Sequence, residues 1–477
     1  MRILDKFIGV FSPEAELRRT QARVALRSMT SFEAASVGRR FKNWTPRKKS
    51  ESLIWRDEGE SVGLKAADAV RNNGWAKSAA NEFIDTMVGG GLSPRFIDEK
   101  NGVVDTYDKS FKIWANRKYC DYEKRRTFWQ MQRAIVSTWF VQGEVFLRKI
   151  IRENKDPRHK NVRLPSICYQ ILGPEMIDRR RLGENVVNGI QYDEEGQIEG
   201  YYVYTRNPLD NPSSPSELIL KQKIIHLYND SSLTMNRGMS FFSASLKPLR
   251  DGDELEDAGV LQRKVSACMT AFLKNVEYTE DGKASYQMPE TLEPGGIYPL
   301  PPGVDVSFSQ PPLVSDFREV IKNQILKSVS SLGLSFESVT KDLSNVNYSS
   351  LRGSRNSQEK HIRALRDSTF IPVILEEIAE DILTIMSIST NISVYWIPPS
   401  MLLIDPEKEG KAFGEGIRNG IYSLSDVLES FGRTPGQHLS NIKKSNDMLD
   451  SLGIVLDSDP RKVSKSGQFQ VEDKKED

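Results

Sequence analysis

Cysteine and histidine are scarce in this chain of 477 residues, with three of the first and four of the second. Cys120, Cys168 and Cys268 lie far apart, and none has a cysteine or histidine neighbour at metal-ligand spacing, which argues against a metal site and predicts reduced, buried thiols. His159, His226, His361 and His438 do not cluster, so no His-Glu-x-x-His pattern exists; His226, between Ile225 and Leu227, reads as a core histidine. A Gly-x-x-x-x-Gly-Lys-Ser/Thr loop is missing too, because Gly282-Lys283-Ala284 and Gly410-Lys411-Ala412 lack the preceding glycine and the hydroxyl. No Gly-x-Ser-x-Gly elbow occurs. Carboxylate pairs such as Glu376-Glu377 and Asp193-Glu194 have no base or ligand beside them. The residues therefore predict no catalytic site, no cofactor and no metal, and favour a scaffold or conduit over an enzyme.

Net charge is also lacking. Lys and Arg number 66 against 65 Asp and Glu, which excludes a protein that coats nucleic acid by bulk positive charge and makes any polyanion contact local. Long apolar runs are absent. Phe7 to Phe11 is too short for a secretory or spanning segment, and Ile371 to Met386 is cut by Glu376, Glu377, Glu380 and Asp381, so no membrane span is expected. The length predicts about two to four domains.

What is present is a pair of helical patterns around a proline-rich insert. Leu255, Ala258, Leu261, Val265, Cys268 and Phe272 recur at helical steps between Glu254 and Asn275, with Asp251, Asp253, Glu254, Glu256 and Asp257 at the favourable pole of the helix dipole. From Asp316 to Gly333 the return helix carries Phe317, Val320, Ile321, Gln324, Ile325, Val329 and Leu332 on one face. Pro289, Pro294, Pro299, Pro301, Pro302, Pro311 and Pro312 forbid helix between them. The chain is expected to go out along one helix, build a small lobe, and come back beside itself.

Around this pair the chain reads in order. Residues 13–50 hold ten bases (Arg18, Arg19, Arg23, Arg27, Arg39, Arg40, Lys42, Arg47, Lys48 and Lys49) against three acids, either a contact to nucleic acid or an acidic neighbour, or a solvated tail. A helix from Ser61 breaks near Asn72-Asn73-Gly74 and ends at Gly89-Gly90-Gly91. Phe111 to Phe140 is read as one aromatic-rich helical region. Strands follow at 143–150, 166–171, 189–192, 200–204 and 224–227, giving an α+β body with an antiparallel sheet. Leu343 to Ser350 buries little and reads as an exposed polar loop. Beyond it Arg352, Arg355, Arg363 and Arg366 fall on one helical stripe, expected opposite Ile362 and Leu365, which faces either solvent or phosphate. Pro372 should kink or restart that helix. Trp396-Ile397-Pro398-Pro399 closes the body, and the polar tail from Asp457 is expected to be disordered.

Several segments, in this order, resemble the portal proteins of tailed bacteriophages in the lambda-like branch. They are Ala67 to Ala76 with Val88 to Leu92, Gln142-Gly143-Glu144-Val145-Phe146, Asn236-Arg237-Gly238-Met239-Ser240-Phe241, Leu249 to Ala258, Glu293 to Gly296, Leu332 to Arg352, and Ile404 to Glu409. The resemblance spans about residues 30–455.

It implies an α+β, mostly helical fold with the wing, stem, clip and crown of a portal. On this chain those parts become a basic arm (1–60), a wing (61–245), stem helices (246–276 and 316–340) flanking a clip (277–315), a tunnel loop (341–353), a long kinked helix returning to the wing (354–400), a helical crown (401–456) and a tail (457–477). It further implies a ring, usually of twelve copies, at one capsid vertex. Double-stranded DNA would be packaged, retained and ejected through it without sequence preference. The partners implied are the terminase large subunit, a head-completion or adaptor protein, and the major capsid and scaffolding proteins, with assembly in the host cytoplasm. Lys341, Asn345, Asn347, Tyr348, Ser349, Arg352 and Arg355 are expected at the channel, and Tyr286, Gln287, Pro294, Tyr298 and Pro301 at the docking clip. Sliding DNA requires weak, sequence-blind contacts, which suits a nearly neutral chain with polar loops. The alternatives are a minor capsid or scaffolding protein without a channel, and the subunit of a nucleic-acid-processing enzyme, which would need clustered carboxylates.

Overall fold

The computed structural model describes residues 46–98, 102–103, 105–155, 157–158, 160–230, 232–267, 271–274, 305–308, 317–344, 346–388, 392–399, 405–433, 435–456, 459 and 461–463. The chain divides into two units, residues 1–53 and 54–477. In the first, only 46–53 are described; Arg47, Lys48 and Lys49 of the basic arm are exposed there, and the other seven bases lie outside the described residues.

Helix α1 (Glu51–Asn72) starts about ten residues earlier than expected and stops where Asn73 intervenes. Asn73 then caps α2 (Gly74–Met87) by accepting from the Ala76 amide at 2.8 Å. Gly91, at φ +103°, ends the following turn, and a Cβ there would enter the Trp129 ring. Strand β1 (Ser93–Asp98) and the short β2 (Gly102–Val103) follow. The region read as one aromatic helix is two, α3 (Asp105–Trp114) and α4 (Phe128–Gln142). The chain turns between them around Asp121, whose carboxylate accepts from the amides of Glu123, Arg125 and Arg126, and a Thr127–Gln130 capping box restarts the helix. The aromatics do form core: Trp114, Phe128, Trp139 and Phe140 are buried.

Strands β3 (Glu144–Ile151), β4 (Ile167–Leu172), β5 (Val186–Val187), β6 (Ile190–Tyr192), β7 (Ile198–Tyr204), β8 (Ser216–Leu220) and β9 (Ile224–Tyr228) form two antiparallel sheets, ordered β4-β3-β9 and β5-β6-β7-β8. Helix α5 (Leu246–Ala267) stops short of the expected Asn275: Ala271–Lys274, with Phe272, form strand β10, paired with β11 (Asp305–Phe308), and α6 (Phe317–Ser331) returns. Then come α7 (Phe336–Thr340) and α8 (Tyr348–Leu365). Pro372 does not restart the helix: residues Arg366–Glu376 widen into π-type turns, which accommodate a residue without an N–H, and α9 (Glu377–Ile385) continues. Strand β12 (Ile392–Ile397) pairs antiparallel with β1 from Ser93 opposite Ile397 to Asp98 opposite Ile392, so the chain closes on a strand about 300 residues back. Helices α10 (Pro406–Arg418), α11 (Leu424–Ser430) and α12 (Pro435–Ser451) complete the described fold. The tail boundary at 457 does not hold for residues 461–463. Arg461 and Lys462 pair with Asp450, and Val463 is buried.

A buried ion cluster ties the sheets to α1. Gly143 takes φ +94°, and a Cβ on Gly238 would run into the Gly143 carbonyl. That backbone approach brings Glu144 and Arg237 together with both side chains almost fully buried; Arg237 Nη2 donates to Glu144 Oε1 at 2.6 Å. Trp55 lies 4.3 Å from the Arg237 guanidinium and donates its indole N–H to the Gly238 carbonyl. His226 is the expected core histidine, with a specific task. Burial pushes it below its ordinary pKa against the pull of Glu144, so the neutral ring donates from Nε2 to Glu144 Oε2 at 3.1 Å.

Helices α5 and α6 do run antiparallel, side by side, but not through the expected face. Leu261 is 62% exposed, and α5 turns Leu249, Gly252 and Gly259 toward α6 instead. A Cβ on Gly259 would enter the Phe317 ring, Gly252 lies opposite Gln324, and Ser245 hydrogen-bonds the Ser328 carbonyl at 3.0 Å. The helix begins at Leu246, so the acids read as its first turn fall in its second and third.

Two outcomes follow. Gly259→Leu, which places bulk against Phe317, should destabilise the protein by about 1–3 kcal/mol, read as a lower melting temperature. Burial raises the Glu144 carboxyl, but Arg237 and then the bond from His226 outweigh it and hold it at about 2, below its ordinary 4.5. A depressed pKa contributes stability above 4.5 that is lost as pH falls towards about 2. Unfolding free energies from urea titrations should therefore decline across that window by about 3 kcal/mol in total, and Glu144→Gln should abolish this part of the pH dependence.

Candidate nucleic-acid interface

The polar stretch between α6 and α8 is anchored at its root. At Gly333, φ +71° turns the chain over α8 where a Cβ would enter the His361 ring, and Leu332 and Leu334 are buried on either side. Ser335 caps α7 by accepting from the Ser338 amide. The buried Gln358 side chain is the hub. Its Oε1 accepts from the Ser335 amide at 2.8 Å and the Ser338 hydroxyl at 2.7 Å, and its Nε2 donates to Glu82 Oε1 at 3.0 Å. Ser78 on α2 donates to the Val339 carbonyl at 2.6 Å, and Ser354 to Glu337 at 2.8 Å. Two helices far apart in sequence, α2 and α8, thus hold the short helical turn α7.

From this root the expected channel residues divide by role. Lys341 ends α7 in the left-handed region, φ +59°, and its ammonium lies 2.9 Å from Glu82 Oε2, so its charge is partly answered within the subunit. Asp342 accepts from the hydroxyl and amide of Ser344, which hold its carboxyl below the usual range. Asn345 lies outside the described residues, as do Tyr286, Gln287, Pro294, Tyr298 and Pro301. Asn347 caps α8: its Oδ1 accepts from the Ser350 amide at 2.8 Å while the Ser350 hydroxyl accepts from the Asn347 amide at 3.1 Å. Its oxygen is therefore engaged in the helix. Because α8 starts at Tyr348, residues 348–353 of the expected loop are helical, and among the described residues the irregular connection is confined to 341–344 and 346–347.

That helical start places Tyr348, Arg352 and Arg355 within about 60° of one another around the axis, with Ser349 beside them. Tyr348 is 39% exposed and Lys408 of α10 stands 5.6 Å over its ring. Ser349 and Arg352 are exposed and Arg355 half-buried, and neither arginine pairs with an acid among the described residues. The four-arginine stripe does not continue. Arg363 pairs with Asp367 at 3.4 Å, and Arg366 is buried beside the same carboxylate. The reason is angular. Ile362 falls only about 20° from Arg355 around the axis, not opposite it, so Arg366 turns into the core while Arg363 stays exposed beside Asp367.

Gln358, Glu82 and Lys408 complete this site and were not legible in the sequence. Glu82 and Gln358 are 276 positions apart and neither belongs to a motif. Chemically the surface offers guanidinium groups and hydroxyls. Among the described residues no three His, Cys, Asp or Glu side chains gather as a metal site, and no helix is long and apolar enough to cross a membrane. Cys120 is buried and its thiol is pushed up to about 12 by burial, then by Asp121, which leaves it unreactive.

Comparison with known proteins gives a consistent picture. The family model described as "Phage portal protein, lambda family" matches residues 37–366. A "Probable portal protein" of Halomonas phage phiHAP-1 is 23% identical, over 93% of this chain and 90% of the relative. "Portal protein B" of Escherichia phage lambda is 21% identical, over 68% of each. A chain from the structure "Virion of native gene transfer agent (GTA) particle" superposes with a TM-score of 0.47 at 12% identity, covering 82% of this chain and 95% of that one.

Gln358→Leu should leave Ser335, Ser338 and Glu82 without their partner. The expected loss is about 2 kcal/mol, together with faster amide hydrogen exchange confined to residues 335–341. Unchanged exchange there would show that the root is held otherwise.

Proposed function

Since the chain belongs to the lambda family of phage portal proteins, and so to the components of a phage particle, we propose that identical copies close into a ring at one capsid vertex. Double-stranded DNA is packaged, held and ejected through its axial opening, and the neck and tail attach to it. The observation that carries this reading is the family match over residues 37–366. Cyclic symmetry repeats every residue at one height and radius, so a few polar groups per subunit become a continuous collar.

In this reading the paired helices α5 and α6 are the stem, residues 277–315 the clip, the body before α5 the wing, and α10 to α12 the crown. Tyr348, Ser349, Arg352 and Arg355 face the DNA; Asn347 and Lys341 act as cap and anchor of that surface. Asn345 flanks it. Two arginines per copy, without an acid partner among the described residues, give sequence-blind phosphate contacts that are individually weak, as translocation requires. The terminase large subunit supplies the energy and docks, like the head-completion or adaptor protein, on Tyr286, Gln287, Pro294, Tyr298 and Pro301. Major capsid and scaffolding proteins surround the ring, which assembles in the host cytoplasm. The chain has no catalytic role of its own.

Class-averaged electron micrographs of the purified protein should show rings with an open axis; monomers under all salt and concentration conditions would refute the reading. Deleting 345–350 would also uncap α8 through Asn347 and Ser350, at about 1 kcal/mol, so substitution is the cleaner probe of the channel. The pair Arg352→Glu and Arg355→Glu should assemble normally yet lower the yield of full-length packaged genomes several-fold. Unchanged genome length and virion yield would remove these arginines from the channel.

A further inference from the structure

Asp178-Arg179-Arg180-Arg181-Leu182 form a turn laid against β7, on the body before α5. The Asp178 amide donates to the Tyr202 carbonyl at 2.8 Å, and the Arg181 guanidinium stands 5.0 Å over the Tyr202 ring. The three arginines differ in their partners. Arg179 pairs with Glu60 of α1, whereas Arg180 and Arg181 are exposed and, among the described residues, lie within ion-pair distance of no acid. The acid beside them is sealed: the Asp178 carboxylate accepts from the Tyr204 hydroxyl at 2.7 Å, the Ser216 hydroxyl at 2.6 Å and the Arg180 amide at 3.2 Å.

Facing this turn is the loop 205–215 between β7 and β8, which its own hydrogen bonds hold in shape. The buried Ser214 hydroxyl accepts from the Arg206 amide at 2.9 Å, and the Asn207 carbonyl from the Asn211 amide at 2.9 Å. Between turn and loop opens a cleft of about 550 Å³, to which the one contributes Arg180, Arg181 and Leu182 and the other Pro212 and Ser213. Leu182 is 90% exposed, and Leu218, opposite Tyr202 in the strand register and so on the same face of the sheet, is exposed beside the Tyr202 ring. Glu184 and Asp210 are exposed acids close by in sequence; neither lines the cleft, and Glu217 points to the opposite face of the sheet.

A wall with these two guanidinium groups beside a bare leucine suits carboxylates interleaved with apolar side chains. Nucleic acid fits less well, because Arg181 already covers the ring face on which a base would stack, and phosphates gain nothing from Leu182. We propose that this cleft binds an acidic, leucine-bearing peptide segment of another protein, with its carboxylates on Arg180 and Arg181 and an apolar side chain against Leu182. None of these residues belongs to the candidate DNA surface or to α5 and α6, so the site stands or falls apart from the ring reading.

The probe is a fluorescein-labelled peptide of four glutamates and two leucines, titrated into the full-length protein and read by fluorescence anisotropy. It should bind with a Kd of about 100 µM or tighter and weaken as salt is added. Arg180→Glu with Arg181→Glu should weaken it at least about ten-fold, and Leu182→Asp about as much, at an unchanged melting temperature. Peptides with glutamine for glutamate, or alanine for leucine, should lose binding to the same degree. No saturation of the wild-type protein by about 1 mM peptide, or equal binding to the charge-reversed variant or of the alanine peptide, would overturn the site. A duplex oligonucleotide that displaces the peptide at equal concentration would make the surface a nucleic-acid contact. A charge-reversed variant that changes only its oligomeric state by mass photometry would make the occupant a second copy; either result overturns the peptide.

Discussion

The close contact between α5 and α6 is the constraint on which the rest of the structure depends. Gly252 and Gly259, two helical turns apart, remove side chains from the face of α5 that meets α6, and the Phe317 ring occupies the space that a Cβ would take. Small residues at this spacing allow two helices to approach without interdigitating bulk, and Leu249 with Ile325 and Val329 then fills the root of the pair. Turning the glycines inward leaves Val260 and Leu261 outward. A subunit that satisfies its own hairpin therefore presents an apolar surface framed by charge.

The root of the hairpin is joined to the body by polar groups that are buried and fully engaged. Gln358 binds α7 to α2, the Glu144–Arg237 pair binds two sheets to one another, and Trp55 covers that pair from α1. Removing one partner from such an arrangement strands the other without water, so these sites resist drift more than an apolar contact of equal area. The segments through which the chain resembles portal proteins gain a physical meaning here. Gln142-Gly143-Glu144 and Asn236-Arg237-Gly238 are the two halves of one buried lock, with the glycines permitting the approach and the charges occupying it.

The candidate DNA surface has the opposite character. Tyr348, Ser349 and Arg352 project from the first turns of a capped helix, while the connection before it is held only at its root. A firm base with an exposed polar edge suits a wall past which a polyanion slides. Strong single contacts there would add a barrier at each step.

Much of this was legible in the amino-acid sequence because it depends on local rules. Apolar spacing located α2, α6 and β3, Asn73 and Gly91 marked the ends of helices, and the prolines of 277–315 separated the outgoing from the returning helix. The face of α5 does not follow from apolar spacing, because Gly252 and Gly259, which make the contact, have no side chain to enter the pattern, and Leu261 lies outside. The arginine stripe was misread because spacing gives a direction around a helix but not where the core lies; Arg366 is buried and Arg352 is not. Sequence alone determined the paired helices around the proline-rich insert, the five strands read between 143 and 227, the near-neutral charge and the family motifs, but not β1, β8 or β12. Only the tertiary structure decided that Gln358 reaches Glu82, that Glu144 meets Arg237, and that β12 returns to β1, because each joins positions between 93 and about 300 residues apart through packing that no local pattern encodes.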